Sequence, residues 1–151
     1  MSKAMSILPM LLLACFVGLG CRDHHIEKDF FGKPPADRVE RLRQYSLDDQ
    51  YKIFRYGNDV KEPPTMELAV PIAERGASAV PFLVGHLRAA TDDIAVRDIL
   101  LIFERMDAIG SYNVKADTAL MGLLGSKISG MKDKDWQASC LKRLQRINGT
   151  K

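Results

Sequence analysis

Apolar residues in this chain return every three or four positions, and no run of alternating β-branched residues lasts four positions. In the stretch "DILLIFERMDA", Ile99, Leu100, Phe103 and Met106 repeat at helical steps. Near the end of the chain Trp136, Cys140, Leu144 and Ile147 do so strictly. That period gathers side chains on one face of a helix, whereas a half-buried strand needs alternation. The chain therefore reads as all-α. Its 151 residues suit one domain, and 46% apolar with 27% charged residues is ordinary for a folded one.

Turn and cap residues cut the pattern into about six to seven helices. Val39 and Leu42 place the first over 37–45. Ser46 caps a second over 47–56, with Asp48 and Asp49 in its first turn and Leu47, Tyr51 (or Gln50) and Phe54 on its buried face. Gly57 and Asn58 are expected to end it. Thr65 opens a short helix through Leu68 and Ile72 to Arg75, in which Pro71 should force a kink or a restart and which Gly76 closes. Pro81 suits the first turn of the next helix, whose face holds Phe82 or Leu83 and then Leu87. Thr91 or Asp92 caps the helix that carries Ile99 to Met106. Asn113 is expected to cap a helix over 114–127, and Asp133 the last one, which Asn148 and Gly149 stop.

The first residues obey a different rule. No charge occurs between Lys3 and Arg22, and the thirteen residues from Ile7 to Leu19 are apolar or small. One basic residue, a short apolar run and small residues before a polar switch describe an export signal. A membrane-spanning helix needs about 20 apolar residues, so this run is short for one; an uncleaved anchor over 4–21 is the alternative.

Val17-Gly18-Leu19-Gly20-Cys21 resembles the lipobox of bacterial lipoproteins, with Gly18 where leucine is usual. Leu12-Leu13-Ala14-Cys15 fits the residue pattern more closely but leaves a very short apolar run and an exposed "FVGLG". Cys21 is preferred because "RDHH" follows it at once; Cys15 is the alternative. The resemblance implies cleavage before Cys21, lipidation of its sulfur (palmitate) and acylation of the new amine, so that several chains hold the protein in a lipid bilayer. It implies a bacterial cell-envelope protein facing the periplasm. The residue after Cys21 is Arg22 rather than the acid that marks inner-membrane retention in that family, which favours the outer membrane. The domain plan is a signal over 1–20, a flexible tether of about 50 Å reach over 21–36, and a helical domain over 37–151. Phe30 and Phe31 are expected to pin the tether to the domain.

Candidate chemistry is sparse. Cys21, Asp23, His24 and His25 are ligand types, but no second cluster closes a metal shell, and "CRDHH" reads as a polar link. No metal or other cofactor is expected. Cys140 sits on the apolar stripe of the last helix and reads as a buried thiol. His86 stands alone, and Asp48-Asp49 and Asp92-Asp93 fall where helix caps want acids. No G-x-S-x-G, HExxH, phosphate loop or CxxC occurs, so the expectation is not an enzyme. With the first twenty residues removed, 21 basic residues face 19 acidic ones in fine alternation. That pattern offers no basic stripe for nucleic acid. Tyr51, Arg55 and Tyr56 are types that concentrate at protein interfaces and form the candidate partner surface.

Gly76-x-x-Ala79-Val80-Pro81-x-Leu83-x-x-x-Leu87, followed by Asp93-x-x-Val96-Arg97, resembles one bacterial HEAT-like repeat. It covers about 33 residues, and "DILLIF" departs from it where small alanines are usual. The resemblance implies helical hairpins stacked on one another, with Asp93 and Arg97 binding repeats together. About three units are needed to bury enough surface, and the body has length for about three hairpins. The expected architecture is a short, degenerate HEAT-like array or a compact bundle. The expected role is a scaffold or interaction module for another envelope protein. The alternatives are an immunity-type inhibitor of an exported toxin, or a helical-pocket ligand-binding protein or enzyme.

Overall fold

The computed structural model describes residues 25–149. Among the described residues there are seven α-helices and no strand: α1 (Arg38–Arg43), α2 (Leu47–Val60), α3 (Ala69–Glu74), α4 (Val80–Ala89), α5 (Asp93–Ile109), α6 (Thr118–Ser129) and α7 (Lys134–Asn148). The all-α reading and the number of helices agree with the periodicity. Short 3-10 turns at Met66–Leu68 and Gly76–Ala79 lead into α3 and α4, and Val114–Ala116 precedes α6.

Helices α2 and α3, α4 and α5, and α6 and α7 make three consecutive hairpins. One layer contains α3, α5 and α7, with α5 packed between the other two; α4 and α6 meet in the second layer, where Tyr51 of α2 reaches Phe82 of α4. The centre of this arrangement is α5. Val96, Ile99, Leu100, Ile102, Phe103 and Met106 bury almost all of their surface and join the residues contributed by both neighbours. Asp92 fixes its start by accepting the Ala95 N–H at 2.7 Å, and Gly110 ends it at φ 70°.

Polar links tie each hairpin to the next. Asp93 Oδ2 accepts the backbone N–H groups of Lys132 and Asp133 at 2.9 and 2.8 Å, just ahead of α7. The Arg97 guanidinium lies over the Trp136 ring at 4.7 Å. Asp93 and Arg97 thus each reach the following hairpin rather than each other. Lys127 Nζ donates to the carbonyls of Arg88 and Ala90, and the Ser111 hydroxyl donates to the Ala73 carbonyl at 2.6 Å.

Two expected boundaries move. Helix α2 does not stop at Gly57 and Asn58 but runs on to Val60, and both residues are buried. The lack of a side chain at Gly57 lets the helix close on Thr65 and Phe31, so this glycine serves packing rather than termination. Asn113 does not cap a helix over 114–127. Val114 is fully buried in its 3-10 turn, and the helix restarts at Thr118 under Asp117, whose carboxylate accepts the Leu120 N–H at 2.9 Å. Pro71 falls at a restart as expected: the 3-10 turn Met66–Leu68 gives way to α3 at Ala69, and the proline sits in the first turn of that helix.

The segment expected to be a tether is partly domain. Ile26–Phe31 forms a π-helical turn, and Phe30 and Phe31 are 1% and 6% exposed. Arg41 lies over Phe30 and Arg38 over Phe31, at 5.4 and 5.1 Å, and Arg41 also donates to the Pro34 carbonyl. Packing therefore begins near Phe30 rather than at residue 37. Phe30→Ala should release this turn locally, because the segment can leave without unravelling α5. Amide exchange over 28–33 should quicken about tenfold or more, the equivalent of ~1.4 kcal/mol, while the main unfolding transition moves little. A fall in global stability as large as that of a central core substitution would show that the turn folds with the core.

Candidate functional site

The three residues expected to form a partner surface are brought together by α2, but most of their contacts are internal. Tyr51 is 7% exposed and lies against Phe82 and His86. Tyr56 is half-buried and its ring stacks at a tilt on Phe31. The Arg55 side chain reaches the buried Asp98, its Nε 3.5 Å from Oδ2, and its Nη2 comes within 3.8 Å of Asp92.

Asp98 is the residue that sequence reasoning missed. It is fully buried on α5, and Arg97 donates to its Oδ1 through Nε and Nη2 at 2.9 and 2.7 Å. The carboxyl thereby joins α2 to α5 through Arg55, and Arg97, which also holds it, brings Trp136 of α7 into the same group. Burial pushes the Asp98 carboxyl above the ordinary carboxylate range, while Arg97, Arg55 and the amide of buried Asn58 pull it back less strongly.

Between the ordinary range and that raised value, the folded state keeps a proton that the unfolded chain has already released. The contribution of Asp98 to stability therefore falls as pH rises through this window. Asp98→Asn removes the slope. In urea unfolding, the stability of the unmodified chain relative to this variant should decline as pH rises above the ordinary carboxylate range, about 4. A difference that grows with pH would mean that the arginines outweigh burial.

The remaining candidates carry no shared chemistry. Cys140 is 1% exposed, and burial pushes its thiol up, away from the reactive thiolate. Exposed His86 packs on Tyr51 and Phe82, and desolvation lowers its pKa. Asp92 acts as a cap, as does Ser46 ahead of Asp48 and Asp49. His25 pairs with Asp29 at 3.3 Å on the surface. Cys15, Cys21, Asp23 and His24 lie outside the described residues.

Of the recesses on the surface, one lies along the central helix α5. A trough of roughly 390 Å³ opens between α5, α7 and the turn before α3. Leu101, Glu104, Arg105 and Ala108 fall at helical steps along one face of α5, and Arg143 and Arg146 stand opposite on α7. Met66, 37% exposed, supplies apolar surface, and Leu101, largely buried at 7% exposed, shows its edge at the bottom. Glu104 is shared by Arg143 at 2.5 Å and Arg146 at 3.1 Å, whereas exposed Arg105 has no ion-pair or hydrogen-bond partner among the described residues. The sequence carried a faint sign of this in the charged positions interrupting "LLIFERMDA", which α5 turns to one side.

Comparison with protein-family models, with curated proteins and with solved structures finds no match.

Proposed function

We propose that this chain is a lipid-anchored protein of the bacterial envelope whose helical domain docks another envelope protein. The observation that carries the docking role is the trough on α5 and α7, which combines an apolar floor with charged walls on a scaffold of packed helices. A recess of this kind takes side chains of a partner and holds them by burial and by charge. The arrangement of the hairpins in two layers supports the HEAT-like reading, in which stacked helices present surface.

The anchor rests on Val17-Gly18-Leu19-Gly20-Cys21 and on the polar residues that follow. Because Phe30 and Phe31 are packed on the domain, few residues separate Cys21 from folded structure. Nine residues reach about 30 Å at most, at ~3.3 Å each, so the domain would work close to the bilayer surface. The outer membrane is the favoured location, and a dedicated inhibitor of an exported toxin is one form such a partnership could take.

Labelling cells with a palmitate analogue tests the anchor. Cys21→Ala should abolish labelling and leave unprocessed precursor. Labelling that survives until Cys15 is changed moves the site to Cys15, and a chain never labelled in any form contradicts the lipoprotein reading. The docking role is tested by purifying tagged full-length protein from solubilised membranes. A defined partner in constant ratio is expected, and background proteins alone would count against it.

A further inference from the structure

The trough also says something about what it takes. The geometry points to a peptide segment of the partner in which a large apolar side chain is flanked by carboxylates. This inference rests on the docking reading and adds the chemistry of the bound segment.

Three arginines face one glutamate around the opening. Glu104 is already divided between Arg143 and Arg146, so the walls keep an excess of positive charge even after the internal ion pairs are counted. The excess lies on both sides. Arg105 projects from α5 without a partner among the described residues, and Arg146, 65% exposed at its side chain, projects from α7. Between them, Met66, Leu101 and Ala108 offer apolar or small surface.

A ligand that satisfies this arrangement must bring apolar bulk to the centre and negative charge to both edges. Guanidinium forks favour carboxylates geometrically, and their effect is greatest where the neighbouring apolar contact excludes water. A bilayer surface is the less fitting occupant: lipid headgroups can meet Arg105 and Arg146, but a flat surface does not fill a recess between two helices. A second copy of the chain would have to present the same acid–apolar–acid pattern.

The test is a selection of random displayed peptides against the full-length chain held in detergent micelles. Enriched sequences should combine a large apolar residue with acidic neighbours, and their binding should weaken as salt is raised. The double variant Arg105→Glu with Arg146→Glu should weaken them about tenfold or more. Both side chains are exposed, so the fold should survive, which circular dichroism checks. Ala108→Trp, which fills the trough from an exposed position without changing charge, should abolish binding as well. Lys115→Glu, outside the trough, should leave it unchanged.

Enriched peptides without acidic bias, peptides bound equally by the double variant, or no enrichment would each overturn the inference. So would arginine-dependent attachment that follows the phosphatidylglycerol content of nanodiscs, or a self-dimer broken by the double variant. These failures differ from a failure of the docking reading, because a stoichiometric partner could still be recovered from membranes through another face.

Discussion

Phe103→Ala is expected to destabilise the domain by about 3–5 kcal/mol, the range for truncating a fully buried phenylalanine. Phe103 lies in the middle of α5 with no exposed surface, and α5 is packed between α3 and α7. The helices around it are short, with six residues in α3, so they depend on α5 for much of their burial. A cavity at this point is shared by several elements and cannot be closed by moving one of them. Folded domains are stable by only about 5–15 kcal/mol in total, so the variant should unfold at a much lower urea concentration with an unchanged slope. A loss below about 1 kcal/mol would mean that neighbouring side chains collapse into the space; α5 would then not be the centre of the core.

Gly57→Ala should destabilise the domain by about 1–3 kcal/mol, although alanine is the better helix former. A β-carbon at Gly57 would overlap the buried Thr65 hydroxyl and come within 2.9 Å of the Phe31 ring. Relief requires the buried Thr65 side chain to turn away or α2 to move from the loop that leads into α3, and Phe31 must give way as well. Gly85→Ala is the matched control. It also lies inside a helix, but a β-carbon there meets nothing within 4 Å, so the ordinary gain of about 0.5–1 kcal/mol should appear. Opposite signs in thermal or urea unfolding are the expected result. Equal gains at both positions would show that the contact of α2 with Thr65 and Phe31 is loose.

These substitutions also show which parts of the fold the sequence could reveal. The stripe from Ile99 to Met106 marked α5 because a central helix must repeat apolar residues at every turn. Asp92 and Asp133 were readable as caps because an acidic side chain before an apolar period has an immediate use for the first free N–H groups. Gly57 was misread for a physical reason. Locally, a glycine followed by asparagine ends helices, and only the distant Thr65 and Phe31 make it a packing residue. Asn113 lost to Asp117 in the same way, because burial of Val114 fixes the turn between them.

The candidate surface was harder to read than the core. Tyr51, Arg55 and Tyr56 were chosen by residue type, yet type does not tell whether an aromatic side chain faces inward. Asp98 carried one legible sign, an acid set among Val96, Ile99 and Leu100 on a buried stripe. Arg97 is its neighbour in the chain, but Arg55 could not be paired with it without the crossing of α2 and α5. The trough depends on residues from Met66 to Arg146, far apart in the chain, and only tertiary packing brings them to one opening.

The proposed docking of a partner in the trough of α5 and α7 has a direct test. Photocrosslinking in intact cells tests it most directly, with a photoreactive amino acid placed in turn at Met66, at Arg105 and at Lys115. Met66 and Arg105 lie on the trough, whereas Lys115 is exposed on the turn before α6 and outside it. One shared crosslinked partner is expected from positions 66 and 105 and none from 115. Crosslinks from 115 to that same partner, or no product from either trough position, would contradict it.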